Sequence, residues 1–327
     1  MKQVKSFGGK LGFTLIELLV VIGIIGILIA ATMPLIGGSR DSALAAKCMA
    51  NMRNIAEATL ICANRNGEDH GWYPSAGLYR SIILFLGSTK PHYRPRRAWL
   101  SNYGSPGVLN SDQLSPTLGD VAHFTDRPEK SMFAITNGVI WSYTGHAFDV
   151  YRCPAHTVDF EKKKGYPPAW SFMMNQEFGY NRGGKGVFGF FGASIKNSSI
   201  TVSVENDGDR YKKGKRSAGR NPDKVLMFAE IQGVEIVDKK HNVKLEPVTG
   251  GDTETDGVLE YTKEQMGFNH RLAKGRYCGH VAFADGHVEK IVMPTDKNYV
   301  KDLTRYLCQG FDVPHDGRKY TPSDVDK

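Results

Sequence analysis

From Phe13 to Pro34 the chain reads FTLIELLVVIGIIGILIAATMP, a run whose one charged residue is Glu17. Coiled as a helix at ~1.5 Å per residue, it is long enough to cross ~30 Å of hydrocarbon. No other stretch of the 327 residues approaches it. Lys2, Lys5 and Lys10 precede it and a long polar chain follows. That bias places the N-terminus in the cytoplasm and the bulk of the chain across the membrane. A cleaved secretory signal needs a shorter apolar core and a small-residue cut after it, which Ala30, Ala31 and Thr32 supply only weakly. A plain signal anchor leaves Glu17 unexplained, because a carboxylate in hydrocarbon is costly unless paired. A free α-amino group made by proteolysis just before Phe13, on a neighbouring subunit, would supply the partner at the right depth.

Gly12-Phe13-Thr14-Leu15-Ile16-Glu17, with its lysine-rich leader and the apolar run through Pro34, resembles the cleavage motif of type IV prepilins and type II secretion pseudopilins. The resemblance implies a cut between Gly12 and Phe13 by a prepilin peptidase, which also methylates Phe13. It implies that Glu17 neutralises an adjacent subunit's terminal amine and so sets axial register. The implied partners are other copies or related pseudopilins and an inner-membrane secretion platform, with the head in the periplasm. Elementary chemistry agrees: Gly12 lets a protease reach an extended backbone, and Thr14 suits a helix start.

Beyond the apolar run, Pro34 and Gly37-Gly38 are expected to kink or locally melt the helix. Ala45, Cys48, Met49, Met52, Ile55, Ala56, Thr59 and Ala63 then recur at helical spacing, a stripe suited to packing on a sheet. Lys47, Asn51, Arg53, Asn54 and Glu57 fall elsewhere on the wheel. The helix is expected to end near Asn66-Gly67. The domain organisation follows: leader 1–12, transmembrane helix 13–35, extramembrane continuation 36–66, and one globular head with insertions over 67–327.

Hydrophobic residues at 41% exclude wholesale disorder for that head, and 36 glycines predict many turns. The surplus of 42 basic over 34 acidic residues is too mild to argue for nucleic acid. The text from Cys48 to Pro74 resembles the helix end and following loop of a pseudopilin-like family of environmental Gram-negative lineages. Further matches follow in order: Gly138–Tyr143, Tyr151-Arg-Cys-Pro154, Phe178–Asn181, Asn221–Glu230 and Val281–Val288. That family's C-terminal signature pairs a histidine with Asp-Gly nine residues on. Here His270 precedes Asp285-Gly286 by a longer gap, which an insertion over Ala273–Cys278 would reconcile. The resemblance gives no clear role for the histidine, and a structural one, holding a hairpin to the loop before it, is the preferred reading.

Val281–Ala284, Asp285-Gly286 and His287–Val292 read as a β-hairpin with a two-residue turn pairing 284 with 287, which puts Phe283 and Val288 on one face. Val225–Ile231 reads as a buried central strand. Gly189–Gly192 and Ser199–Val204 add a hairpin or edge. The fold class expected is therefore α+β, a long N-terminal helix packed on an antiparallel sheet, a pilin-like head with large loop insertions.

Few constellations point to chemistry. His270, His280, Asp285 and His287 cluster in sequence, but a metal needs three or four ligands converging on one point. Glu205, Asp207 and Asp209 alternate around a glycine in a manner suited to Ca²⁺, yet the closing bidentate Glu is missing, and a solvated turn is preferred. Gly184–Gly189 fits G-x-G-x-x-G without the strand and helix such a site requires. No zincin, nucleophile-elbow or Walker A pattern occurs, so no enzyme is expected. Cys48 and Cys62 are too far apart on one helix to pair; either with Cys153, or Cys278 with Cys308, is open. Basic loops at 94–97 and 212–216 read as solvated insertions. The rival from another class is a signal-anchored domain that binds or cleaves a polysaccharide, with Trp72, Trp99, Trp141 and Trp170 as platforms. The pattern does not separate a secretion pseudopilus from an adhesive or uptake pilus.

Overall fold

The computed structural model describes residues 14–65, 73–74, 76, 98–100, 128–175, 178, 200–204, 216–248, 257–259, 261 and 264–313. The first element, α1 (Leu15–Arg65), is opened by a reciprocal cap. The Thr14 backbone N–H and hydroxyl both donate to Glu17 Oε2 at 2.8 Å, and the Glu17 N–H returns a bond to Thr14 Oγ1 at 3.3 Å. This is the capping-box arrangement of a Thr followed three residues later by Glu. Glu17, expected to look outside its own chain for a partner, thus has one within it.

The helix is continuous for 51 residues, about 76 Å at ~1.5 Å per residue. The melting expected at Pro34 and Gly37-Gly38 does not occur, since helical structure runs through all three. A proline removes a single rung of the ladder, and the bonds on either side hold the turn.

The chain divides into two compact units, Met1–Ala43 and Leu44–Lys327. The division falls inside α1 rather than at residue 67, so the second half of the helix belongs to the head. In the first unit every large aliphatic side chain from Leu15 to Ile29 is between 48% and 88% exposed. Among the described residues no helix is long and apolar enough to cross a membrane.

In the second unit the expected stripe is buried: Cys48, Met52, Ile55, Ala56, Thr59 and Ala63 are all inaccessible. Asn51 departs from expectation. It is buried too, because its side-chain amide donates to the Asp149 and Arg152 carbonyls, both at 2.8 Å. Those carbonyls belong to a short 3-10 turn, Phe148–Tyr151, and the residue after it. Two short helices follow the chain here, α2 (Pro128–Thr136) and α3 (Pro154–Lys164). Pro154 suits the first turn of α3, where no N–H partner is needed, and Gly165 ends it at φ +79°.

The main sheet is built from β1 (Phe172–Asn175), β4 (Leu226–Glu230), β7 (Val258–Leu259), β8 (His270–Arg271), β9 (Tyr277–Phe283) and β10 (Val288–Val292). Its order is β10-β9-β4-β1-β7, with β8 on β9. All pairings are antiparallel except β1 with β7, which is parallel. The sheet is therefore mixed; the long connection between β1 and β7 lets the chain return in the same direction. Two smaller ladders stand apart, β2 (Ile200–Val204) with β3 (Arg216–Arg220) and β5 (Ile236–Asp238) with β6 (Val243–Leu245). Gly189–Gly192, the other proposed hairpin arm, lies outside the described residues. The last helix is α4 (Lys297–Gln309).

β4 is buried at every position, Leu226–Ala229 as their apolar run implies and Glu230 with them. The β9–β10 hairpin differs from expectation by one residue. Val288 faces Ala282, and the Phe283 N–H bonds the His287 carbonyl at 2.9 Å. The loop is thus Ala284-Asp285-Gly286, with Gly286 at φ +93°. A three-residue loop closed by a left-handed glycine suits the strand twist. The shifted register stacks the Phe283 and His287 rings 4.5 Å apart instead of matching Phe283 with Val288.

Trp99 and Trp170 are wholly buried, and Trp141 packs against Phe148 and Tyr151. Trp99 and Trp170 belong to the core and Trp141 is half-buried against it; Trp72 lies outside the described residues.

Candidate functional site

The site forms where β4 stops. Its pairing sets Ala229 opposite Val281, so the next residue, Glu230, falls opposite His280. The His280 N–H is answered by the Glu230 side chain, at 2.8 Å from Oε1. Beyond that point β8 takes over the same edge of β9, with His270 facing Cys278. The carboxylate therefore fills the gap between two strand ends. Gly267 and Gly279 make the gap narrow enough, for a Cβ on Gly279 would lie 1.9 Å from the Gly267 carbonyl oxygen.

Five side chains converge on Glu230. His280 Nδ1 lies 2.8 Å from Oε1 and His270 Nε2 lies 3.1 Å from it. The Asn269 amide donates to Oε2 at 2.8 Å. Its carbonyl oxygen meanwhile accepts from the Gly233 N–H at 2.8 Å, tying the chain after β4 to the chain before β8. From α1, Cys48 Sγ approaches Oε1 at 3.3 Å; from the residue before α3, Cys153 Sγ approaches Oε2 at 3.7 Å and His270 Nε2 at 3.4 Å. The whole cluster is at most 5% exposed.

The electrostatics follow from that packing. Burial works against a charge on Glu230, but the attraction of His270 and the bonds from His270 and His280 hold its carboxyl well below the usual range. Burial likewise opposes charge on His270, and the adjacent Glu230 overrides it and pushes the imidazole up. The Cys48 thiol is pushed far up by burial and by Cys153 and Glu230 beside it. Cys153 is subject to the same burial, yet the bonds from Cys48 and His270 bring it down.

The Cys153–His270 contact has the residue types of a nucleophile and its base, but not the arrangement. In such pairs the imidazole uses one nitrogen for the nucleophile and the other for an orienting acid. Here Nε2 serves both Cys153 and Glu230, while Nδ1 is buried with no partner among the described residues. No surface reaches the thiol. Cys48, Cys153, Glu230 and His270 place four ligand-type atoms within 4.8 Å of one another.

Of the residues singled out in the sequence, His270 and His280 come together on Glu230. Asp285, Gly286 and His287 do not join them; His287 Nδ1 pairs with Asp285 in the half-exposed hairpin turn. Of the segment Ala273–Cys278, residues 273–276 lie in the β8–β9 turn, with Lys274 and Gly275 at φ +60° and +73°, and Tyr277 and Cys278 open β9. Gly12, Phe13, Glu205, Asp207 and Asp209 lie outside the described residues. All five cysteines are free thiols, so neither Cys278–Cys308 nor a bridge to Cys153 is formed.

Glu230 and Asn269 were not anticipated; Cys48 with Cys153 was one of the pairings left open, as a bridge and not as two free thiols beside a carboxylate. The signal was present in one form: Glu230 is the single charge in an otherwise apolar strand, and a buried charge demands partners. Glu230 and two of its partners, Cys48 and Cys153, also lay within the short matches that run in order along the chain.

Comparison with known proteins finds one match. The family model of the prokaryotic N-terminal methylation motif covers residues 9–33. No curated protein and no solved structure matches the chain. The motif supports a type IV pilin-like or pseudopilin-like protein that is cut and methylated at its N-terminus; it does not extend to the head.

Proposed function

We propose that the chain is a structural subunit of a type II secretion pseudopilus or a type IV pilus-like filament. The carrying observation is the methylation motif at residues 9–33, continued by the exposed aliphatic surface from Leu15 to Ile29. Such a surface on a single helix is stable in water only when covered, by lipid before assembly and by neighbouring helices after it. In this reading the precursor sits in the inner membrane with its N-terminus cytoplasmic and its head periplasmic. A prepilin peptidase cuts after Gly12 and methylates Phe13, and the subunit then packs with other copies or related pseudopilins on the secretion platform. The head needs no catalytic chemistry for this role.

The cap at Thr14 refines the part played by Glu17. One carboxylate oxygen closes the helix start, and the other is left to meet a neighbour's terminal amine. Gln supports a capping box as Glu does but carries no charge. Glu17→Gln is therefore expected to keep the first helical turn and to lose filament assembly as fully as Glu17→Ala. Assembly by the Gln variant would assign Glu17 to the cap alone. Intact-mass analysis of the native product tests the larger reading: methyl-Phe13 is expected at the terminus, and persistence of Met1 in the assembled product refutes it.

A further inference from the structure

We infer that Cys48, Cys153, Glu230 and His270 form a closed tetrahedral site for a divalent cation of the zinc class, which locks α1 to the sheet. The first argument is geometric. Zinc binds thiolate at ~2.3 Å, imidazole at ~2.0–2.1 Å and carboxylate at ~2.0–2.2 Å. A tetrahedron with such arms has edges of about 3.3–3.8 Å. With Glu230 Oε1 as one corner, Cys48 Sγ lies 3.3 Å and His270 Nε2 3.1 Å from it, and Cys153 Sγ lies 3.4 Å from His270 Nε2; Cys153 Sγ is 3.7 Å from the other carboxylate oxygen, and the four ligand-type atoms lie within 4.8 Å of one another.

The second argument is that hydrogen bonds alone leave the cluster unsatisfied. His270 Nε2 faces both a thiol and a carboxylate. A nitrogen that carries a proton donates to one of them; a nitrogen without one cannot bond the carboxylate at all. Glu230 Oε1 is approached by four groups, Cys48, His270 and two atoms of His280, more than its lone pairs accommodate. Two thiols, weak donors, are buried against a carboxylate where apolar side chains would pack better. One cation resolves all of these contacts, taking two thiolates, the imidazole nitrogen and one carboxylate oxygen as ligands. Asn269 and His280 then orient the carboxylate from behind, as the outer partners of metal ligands do.

The site is closed by four protein ligands and has no exposed edge, which is the pattern of structural rather than catalytic zinc. The four ligands come from α1, the residue preceding α3, the end of β4 and the start of β8. The cation would therefore fasten the helix that carries the N-terminal segment to the centre of the head.

The test uses the full chain, purified in detergent without added chelator. Elemental analysis is expected to find one zinc per chain, and metal-free protein refolded with Co²⁺ should show the thiolate charge-transfer absorption of tetrahedral cobalt. Cys48→Ser, Cys153→Ser and His270→Gln should each lower zinc content at least several-fold, while His287→Gln, in the hairpin turn, retains it. Should a ligand variant fail to fold, cobalt spectra of the wild-type chain still decide. A folded wild-type chain that takes up neither metal overturns the inference. So does a Cys48–Cys153 disulfide found by peptide mapping of the native exported protein.

Discussion

Two acids stand alone in apolar text, Glu17 at the start of α1 and Glu230 at the end of β4, and the molecule answers them in opposite ways. Glu17 is satisfied three residues away, by the N–H and hydroxyl of Thr14, with its surroundings open. Glu230 is fully buried and answered by groups 39 to 182 positions distant in the chain. The local answer leaves a charge free to act between subunits. The distant answer consumes the charge in holding one head together. An isolated carboxylate in a hydrophobic run thus signals obligatory partners, and whether they lie within the chain or beyond it is what separates an assembly surface from a core.

The sharpest way to break this contrast is Glu230→Gln. The amide turns one acceptor into a donor facing His270, His280 and Asn269 and removes the charge those groups answer. A loss of about 3–5 kcal/mol in denaturant unfolding is expected, the range for removing one partner of a buried ion pair. A change within ~0.5 kcal/mol, the range of ordinary surface substitutions, would show that Glu230 holds nothing.

Next in size is a pair of truncations on one helix. Ile55 is wholly buried, and Ile55→Ala should destabilise the head by about 2–5 kcal/mol. Ile24 is 54% exposed, and Ile24→Ala should leave head unfolding within ~0.5 kcal/mol of the parent while weakening filament assembly. Equal effects of the two on unfolding would erase the distinction between the halves of α1.

The third prediction concerns acid. Burial lowers His156 to about 4, from the usual 6.5. The folded state therefore favours the neutral ring, and the unfolded chain binds the proton first. Stability is full above about pH 6.5 and falls as pH drops toward 4, by about 3 kcal/mol in all. His156→Phe, which fills similar space without titrating, should flatten unfolding free energy across that window by the same amount. An unchanged pH slope in the variant would assign the acid sensitivity elsewhere.

Much of the framework was legible because it depends on near neighbours. The helix start at Thr14, the buried stripe from Cys48 to Ala63 and the strand ending at Glu230 follow from period and composition, whereas the capping of Glu17 by Thr14 was not read there. The one-residue shift in the β9–β10 loop shows the limit. Asp-Gly announces a turn, but whether Ala284 belongs to strand or loop rests on the Phe283–His287 pairing across it. Asn51 shows it again: a polar residue between buried ones on the wheel points inward because two carbonyls of a distant turn await it.

By itself the sequence determined the anchor-like N-terminus, its processing motif and the positions that must be buried, since each depends on spacing along a regular element. Only the tertiary structure decided that Cys48, Cys153, Glu230 and His270 meet, and that His287 does not join them. The reason is geometric. Periodicity fixes which way a side chain leaves its own element, whereas convergence depends on where separate elements are laid against each other, and that is settled by packing between residues far apart in the chain.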